Sequence, residues 1–155
     1  MKSANWLTPP EIMAVLGRFD LDPACPKKMP WPTADIMLSK GGLEAEWSGR
    51  VWLNPPFGNQ AAAWLRKLRD HGNGIALIPA RTETNMFYES VWGHASAVCF
   101  IKGRPHFHRP NGSRARFNSG APITLIAYGK RNAKVLARSG LGIVLNVTID
   151  RTAKG

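Results

Sequence analysis

Residues 50–80 read RVWLNPPFGNQAAAWLRKLRDHGNGIALIPA, and this stretch decides the fold class. It opens on a short apolar run, residues 50–53, and closes on a continuously apolar one, residues 74–80; both read as buried strands. Between them Ala61, Trp64, Leu65 and Leu68 recur at i, i+3, i+4 and i+7. That spacing lines one face of a helix, while Arg66, Lys67 and Arg69 fall largely away from it and Gly72 can end it. Strand, helix and strand in this order specify parallel strands joined by a crossover. In an open parallel sheet, ligands bind beyond the carboxyl ends of the strands, so the residues just after each strand are where function is sought. The first strand is followed at once by Asn54-Pro55-Pro56-Phe57. Two prolines end a strand at little cost because neither donates to a ladder, so a rigid turn is the simplest account of them.

Working outward, Thr8-Pro9-Pro10-Glu11 reads as a helix start, with Thr8 as N-cap, Pro9 in the first turn and Glu11 closing a capping box; the helix would run to about Gly17. FDLDPAC, residues 19–25, reads as a short strand stopped by Pro23, and the Pro- and Lys-rich residues 26–35 show no regular pattern. Residues 82–93 read as a helix and 97–103 as a strand. Residues 103–121 are long, basic and rich in Gly, Pro and Asn, which predicts an exposed loop or loose hairpin. Two more strands, within 122–129 and 141–150, are expected to run antiparallel at an edge. The expected fold class is therefore α/β: a Rossmann-like, mainly parallel sheet with helices on both faces and an antiparallel edge near the C-terminus. One domain over residues 1–155 suits the length, and no internal repeat interrupts it.

The chain carries 21 Lys and Arg against 10 Asp and Glu, a formal charge of +11. Such a surplus in a small domain points to a polyanionic partner, foremost nucleic acid, since neutralised phosphates release counterions. No apolar run approaches the ~20 residues that cross a bilayer, and the opening MKSANWLTPP lacks the apolar core of a secretory signal. Two cysteines, Cys25 and Cys99, suggest neither a disulfide framework nor a zinc site, and a cytoplasmic setting is expected.

Three strand ends carry candidate chemistry: Asp22-Pro23-Ala24, Asn54-Pro55-Pro56-Phe57 and Pro79-Ala80-Arg81-Thr82. An exocyclic amino group on a nucleobase is a poor nucleophile because its lone pair is delocalised into the ring. Two fixed acceptors, one on each N–H, localise that lone pair by electrostatic preorganisation. The Asn54 side-chain oxygen and the Pro55 carbonyl are suited to this, and Phe57 offers a flat face on which an extruded base can stack.

Asn54-Pro55-Pro56-Phe57 resembles the N/D/S-P-P-Y/F motif of amino-methyltransferases that use S-adenosylmethionine. With the flanking WLTPPE, FDLDPAC, GGLEAEWSGRVWLNPPF, LIPARTETNMF and FIKGRPHF in order, residues 6–129 resemble the phage-type DNA N6-adenine methyltransferase family. The resemblance implies a methyltransferase version of the α/β fold, shortened at one sheet edge, since only 26 residues, 24–49, separate FDLDP from RVWL. It implies catalysis by Asn54, Pro55, Pro56 and Phe57. It implies that Trp6, Thr8 and Pro9 help hold the methionine part of S-adenosylmethionine, with Asp22, Pro23 and Ala24 beside its sulfonium and amino group. It implies double-stranded DNA as partner, with residues 103–121 as recognition element, a second subunit left open, and the host cytoplasm as setting if the chain is phage-encoded. Arg81, Arg104, His106, Arg109, Arg114 and Arg116 are the candidate DNA contacts, because they cluster after strand ends and in the Gly/Asn-rich loop.

Other readings stand beside these. Capping alone explains Thr8 and Glu11, and a turn alone explains Asp22-Pro23. Trp47, Trp52 and Trp64 read as core. His106 and His108 alternate around Phe107, but no third and fourth metal ligand follow at a suitable distance, so no metal is expected. Asp35 reads as a cap or surface acid rather than a ribose ligand. After DPAC the family's Gly-x-Gly turn is replaced by Pro26-Lys27-Lys28-Met29, and either the shortened sheet edge or Trp31 and its neighbours are expected to cover the cofactor's adenosine end. That departure keeps a non-catalytic DNA-binding remnant open as an alternative, alongside methylation of cytosine N4 or of RNA adenine.

Overall fold

The computed structural model describes residues 6–56, 58–116 and 119–147. In chain order the elements are α1 (Pro10–Leu16), β1 (Leu21–Asp22), β2 (Ile36–Met37), β3 (Val51–Leu53), α2 (Ala61–His71), β4 (Gly74–Pro79), α3 (Asn85–Ser90), β5 (Ala97–Ile101), β6 (Ile123–Tyr128), α4 (Lys130–Arg138) and β7 (Gly142–Asn146). The strands form one mixed sheet in the order β2-β1-β3-β4-β6-β5-β7. The first four pair in parallel, while β6 runs antiparallel to both its neighbours and β7 runs antiparallel along β5.

The deciding stretch folds as its pattern requires. β3 pairs with β4 from Val51 opposite Gly74 to Leu53 opposite Ala76. Gly74 is needed there because a Cβ would lie 2.4 Å from the Val51 carbonyl oxygen. Ala61, Trp64, Leu65 and Leu68 are the buried residues of α2, and Gly72 caps it in the left-handed conformation at φ +78, its N–H donating to the Leu68 carbonyl.

Alternate strand residues supply the two faces of the sheet. Val51, Leu53, Ala76 and Ile78 pack with Leu65 and Leu68 of α2 and Phe87 of α3. Trp52, Ile75 and Leu77 pack with Ile12 and Leu16 of α1 and Leu136 of α4. Helices thus cover both faces, as expected.

Two expectations need correction. α1 begins one residue late: its N-cap is Pro9, which makes no side-chain cap bond, so Thr8 is not the cap and there is no capping box. The two late strands do not both lie at an edge. β6 is buried at all six positions and inserts between β4 and β5, because a strand apolar on both faces belongs inside a sheet; only the half-exposed β7 is at the edge. Between them, residues 130–138 form α4.

β2 is two residues long, and no helix joins β1 to β2 or β2 to β3, so this edge of the sheet is short. β2 lies on one side of β1, and the chain then returns to place β3 on the other. Such a reversal of strand order opens a crevice at the carboxyl ends of the two adjacent strands. Asp22 is the last residue of β1 and Asn54 the first after β3.

Candidate functional site at the carboxyl ends of β1 and β3

Asp22 is 3% exposed, an unusual place for a carboxylate. Its Oδ1 accepts the Ala24 N–H at 3.1 Å, and its Oδ2 accepts the Thr33 hydroxyl in a short hydrogen bond. Burial pushes its pKa up to about 6, and these two donors only partly offset that. No cationic side chain pairs with it among the described residues. A carboxylate so buried is costly to keep charged without a cationic partner.

Asn54 is held by the segment ahead of α1. Its Nδ2 donates to the Trp6 carbonyl at 3.4 Å and to Thr8 Oγ1 at 3.2 Å, while its Oδ1 has no partner among the described residues. The neighbouring Pro55 is buried, and its carbonyl accepts no hydrogen bond among those residues. Two acceptors therefore stand side by side after β3.

The two strand ends share one narrow cleft of about 30 Å³, lined by Trp6, Thr8, Asp22, Ala24, Asn54 and Pro55 among others. It has room for roughly one or two waters. At Ala24, Pro26 and Pro56 the cleft adjoins a groove of about 770 Å³ over the β1–β2 end, edged by Lys27, Lys28 and Lys40. On the other side of the Asn54 loop a second groove, about 720 Å³, runs over the end of β4 past Gly58, Asn59, Arg81, Thr84 and Ser119. Cys25 lines the first groove, but burial and then the Asp22 carboxylate raise its pKa, which disfavours a thiolate nucleophile.

Within residues 103–116 the chain forms a hairpin docked on the segment ahead of α1 rather than a loose one. Leu7 and His108 exchange backbone hydrogen bonds at 2.7 and 2.8 Å, and His108 also bridges to Arg114. Arg109 to Gly112 makes the tip turn, with Asn111 Oδ1 accepting from the Ser113 amide and hydroxyl. Phe107 is buried and roofs the cleft.

The expected site residues distribute as follows. Trp6, Thr8, Asp22, Ala24, Asn54, Pro55 and Pro56 meet at the cleft. Pro23 lines the adjoining groove instead, and Pro9 caps α1, its carbonyl accepting the Ile12 N–H at 3.1 Å. Phe57 lies outside the described residues. Arg81, Arg104, Arg109, Arg114 and Arg116 are exposed, with Arg104 also donating to the Gly120 carbonyl at 3.3 Å; His106 is half-buried. Asp35 forms a surface ion pair with Arg18, at the strand end away from the cleft. Trp31 does not cover the large groove: it packs edge-on against His108, ring centroids 5.2 Å apart, under the hairpin. The sequence reading missed Thr33 and Phe107, which loops bring to the cleft.

No helix among the described residues is long and apolar enough to cross a membrane. Compared with family models, with curated proteins and with solved structures, the chain matches none.

Proposed function

We propose that this chain is an S-adenosylmethionine-dependent methyltransferase that acts on the N6 amino group of an adenine flipped out of double-stranded DNA. The observation that carries this reading is the convergence, in one cleft at the strand-order reversal, of a buried carboxylate without a cation and a side-chain amide with an open oxygen.

S-adenosylmethionine, when bound, supplies an electrophilic methyl group on a sulfonium beside an ammonium. Asp22 fits that pair of positive charges, with Trp6 and Ala24 around it and Pro23 at the groove. Asn54 Oδ1 and the Pro55 carbonyl accept the two amino hydrogens and localise the nitrogen lone pair. The second groove, beyond Gly58 and Asn59, suits the extruded base. The hairpin arginines, Arg81 and the groove lysines lie around the carboxyl ends and suit phosphates.

One observation favours a second reading, a DNA-binding remnant without cofactor. Pro26 and Met29, which stand where the family has a glycine turn, line the narrow cleft, and its volume holds little more than water. Calorimetry with S-adenosylmethionine, combined with transfer of a labelled methyl group to duplex DNA, separates the two. Binding and transfer to adenine are expected; tight DNA binding without either would overturn the enzyme reading.

A further inference from the structure

Thr8 is buried at 2% exposure, yet its hydroxyl caps no helix, because α1 starts at Pro10 behind Pro9. What it does instead is accept from Asn54 Nδ2 at 3.2 Å, while the Trp6 carbonyl accepts from the same nitrogen at 3.4 Å. A carbonyl oxygen only accepts, so the Trp6 contact determines which atom of the amide faces this segment: it must be the nitrogen. The amide oxygen is thereby turned the other way. The segment is itself clamped, since Leu7, between the two acceptors, exchanges both its backbone hydrogen bonds with His108 of the hairpin.

We propose that Thr8 is a positioning residue: its hydroxyl, together with the Trp6 carbonyl, locks the Asn54 side-chain amide with Oδ1 presented as a hydrogen-bond acceptor. The proposal rests on the reading of Asn54 as the acceptor for a substrate amino group. It gives Thr8 a role distinct from holding the cofactor. A Thr8 that served only the cofactor would act through cofactor affinity, whereas a positioning Thr8 acts through the turnover step. Losing the hydroxyl leaves one weak 3.4 Å contact to choose between two amide rotamers.

The test uses the full chain with Thr8→Val, Thr8→Ala and Thr8→Ser. In a ¹⁵N-correlated spectrum the Asn54 side-chain NH₂ pair is identified by its loss in Asn54→Asp. That pair is expected to shift in Thr8→Val and to stay near the wild-type position in Thr8→Ser; Thr8→Ala serves if the valine variant does not fold. In parallel, kcat for methyl transfer to duplex DNA is expected to fall about tenfold in Thr8→Val, with the dissociation constant for S-adenosylmethionine unchanged and serine restoring the rate. An unmoved NH₂ pair overturns the proposal, as does a weakened cofactor affinity with unchanged kcat. Wild-type protein that transfers no methyl group breaks the functional reading instead, and the resonance then decides the positioning claim by itself.

Discussion

The two ends of the sheet hold their buried polar groups by different numbers of contacts within the fold. At the amino end Arg50, 3% exposed, donates from Nε to Asn132 Oδ1 at 2.7 Å and from Nη1 to the Arg18 carbonyl at 2.9 Å, and its guanidinium lies 4.0 Å from the centroid of the Phe19 ring. Asn132 in turn donates to the Tyr128 carbonyl and to Asn73 Oδ1. These contacts tie α4 to the strand ends, and they leave Arg50 Nη2 buried without a hydrogen-bond partner among the described residues. At the carboxyl end Asp22 keeps a charge without a counter-charge, and Asn54 keeps its oxygen open. A buried polar group whose hydrogen bonds close on the protein serves the fold. One left open at a strand-order reversal is available to a ligand.

The sharpest way to break this contrast is at Asn54. Asn54→Ala removes one of the two amino-group acceptors and should lower kcat by about 10²–10³ while leaving affinity for S-adenosylmethionine close to wild type. Retention of most turnover would show that the open oxygen is not an acceptor in the reaction.

Next in size comes a pair of substitutions expected to move stability in opposite directions. Arg50→Met at the amino end leaves Asn132 and the Arg18 carbonyl without a donor and should cost about 2–4 kcal/mol in chemical denaturation. Asp22→Asn at the carboxyl end removes a buried charge at the loss of one hydrogen bond. It should raise stability at pH 8 by about 1–2 kcal/mol while weakening S-adenosylmethionine binding by about 30–100-fold. If both variants lose stability alike, the two ends do not differ as described.

The carboxyl end of this contrast was legible in the sequence, the amino-end network of Arg50 and Asn132 was not, and what was hidden had physical causes. The α2 stripe at Ala61, Trp64, Leu65 and Leu68 is local periodicity, which a helix must obey wherever it packs. The strand ends at Asp22 and Asn54 followed from the neighbouring prolines. The capping box at Thr8 was misread because two adjacent prolines let the helix start at either, and a bond from Asn54, 46 residues away, settles which. β2, two residues with Ile36 exposed, leaves no pattern to read. Thr33 and Phe107 enter the cleft only through the long-range contacts of Asp22 with Thr33 and of Leu7 with His108. The interior place of β6 was visible in ITLIAY, apolar on both faces, but the order of strands along the chain suggested an edge.

The pH dependence sharpens the carboxyl end further. Because Asp22 titrates near 6 in the folded protein against an ordinary value of 3.8, the folded state binds more protons than the unfolded one between those values. Stability from this group therefore falls as pH rises across that window, and is greatest when the carboxyl is neutral. Binding of a cation has the opposite sign: affinity for S-adenosylmethionine should drop about tenfold per pH unit below about 6, as the carboxylate is lost. Calorimetric titrations from pH 5 to 8 check this, and Asp22→Asn should flatten the curve. A flat wild-type profile would mean that no cation meets Asp22.

The smallest effects are expected on DNA affinity, and here the contrast is between exposed hairpin cations without an ion pair and cations paired elsewhere. Arg109 and Arg114 sit exposed on the hairpin with no ion pair among the described residues, whereas Arg18 pairs with Asp35 and Arg66 with Glu89. A phosphate contact shows itself in the salt dependence of binding, because each one releases counterions when it forms. Arg109→Ala and Arg114→Ala should each weaken duplex binding severalfold and reduce the slope of log affinity against log salt by about 1. Arg18→Ala and Arg66→Ala should leave that slope unchanged, since these guanidiniums are already held by carboxylates on faces away from the cleft. Equal slopes in all four variants would mean that the net charge as a whole, and not the hairpin, attracts the DNA.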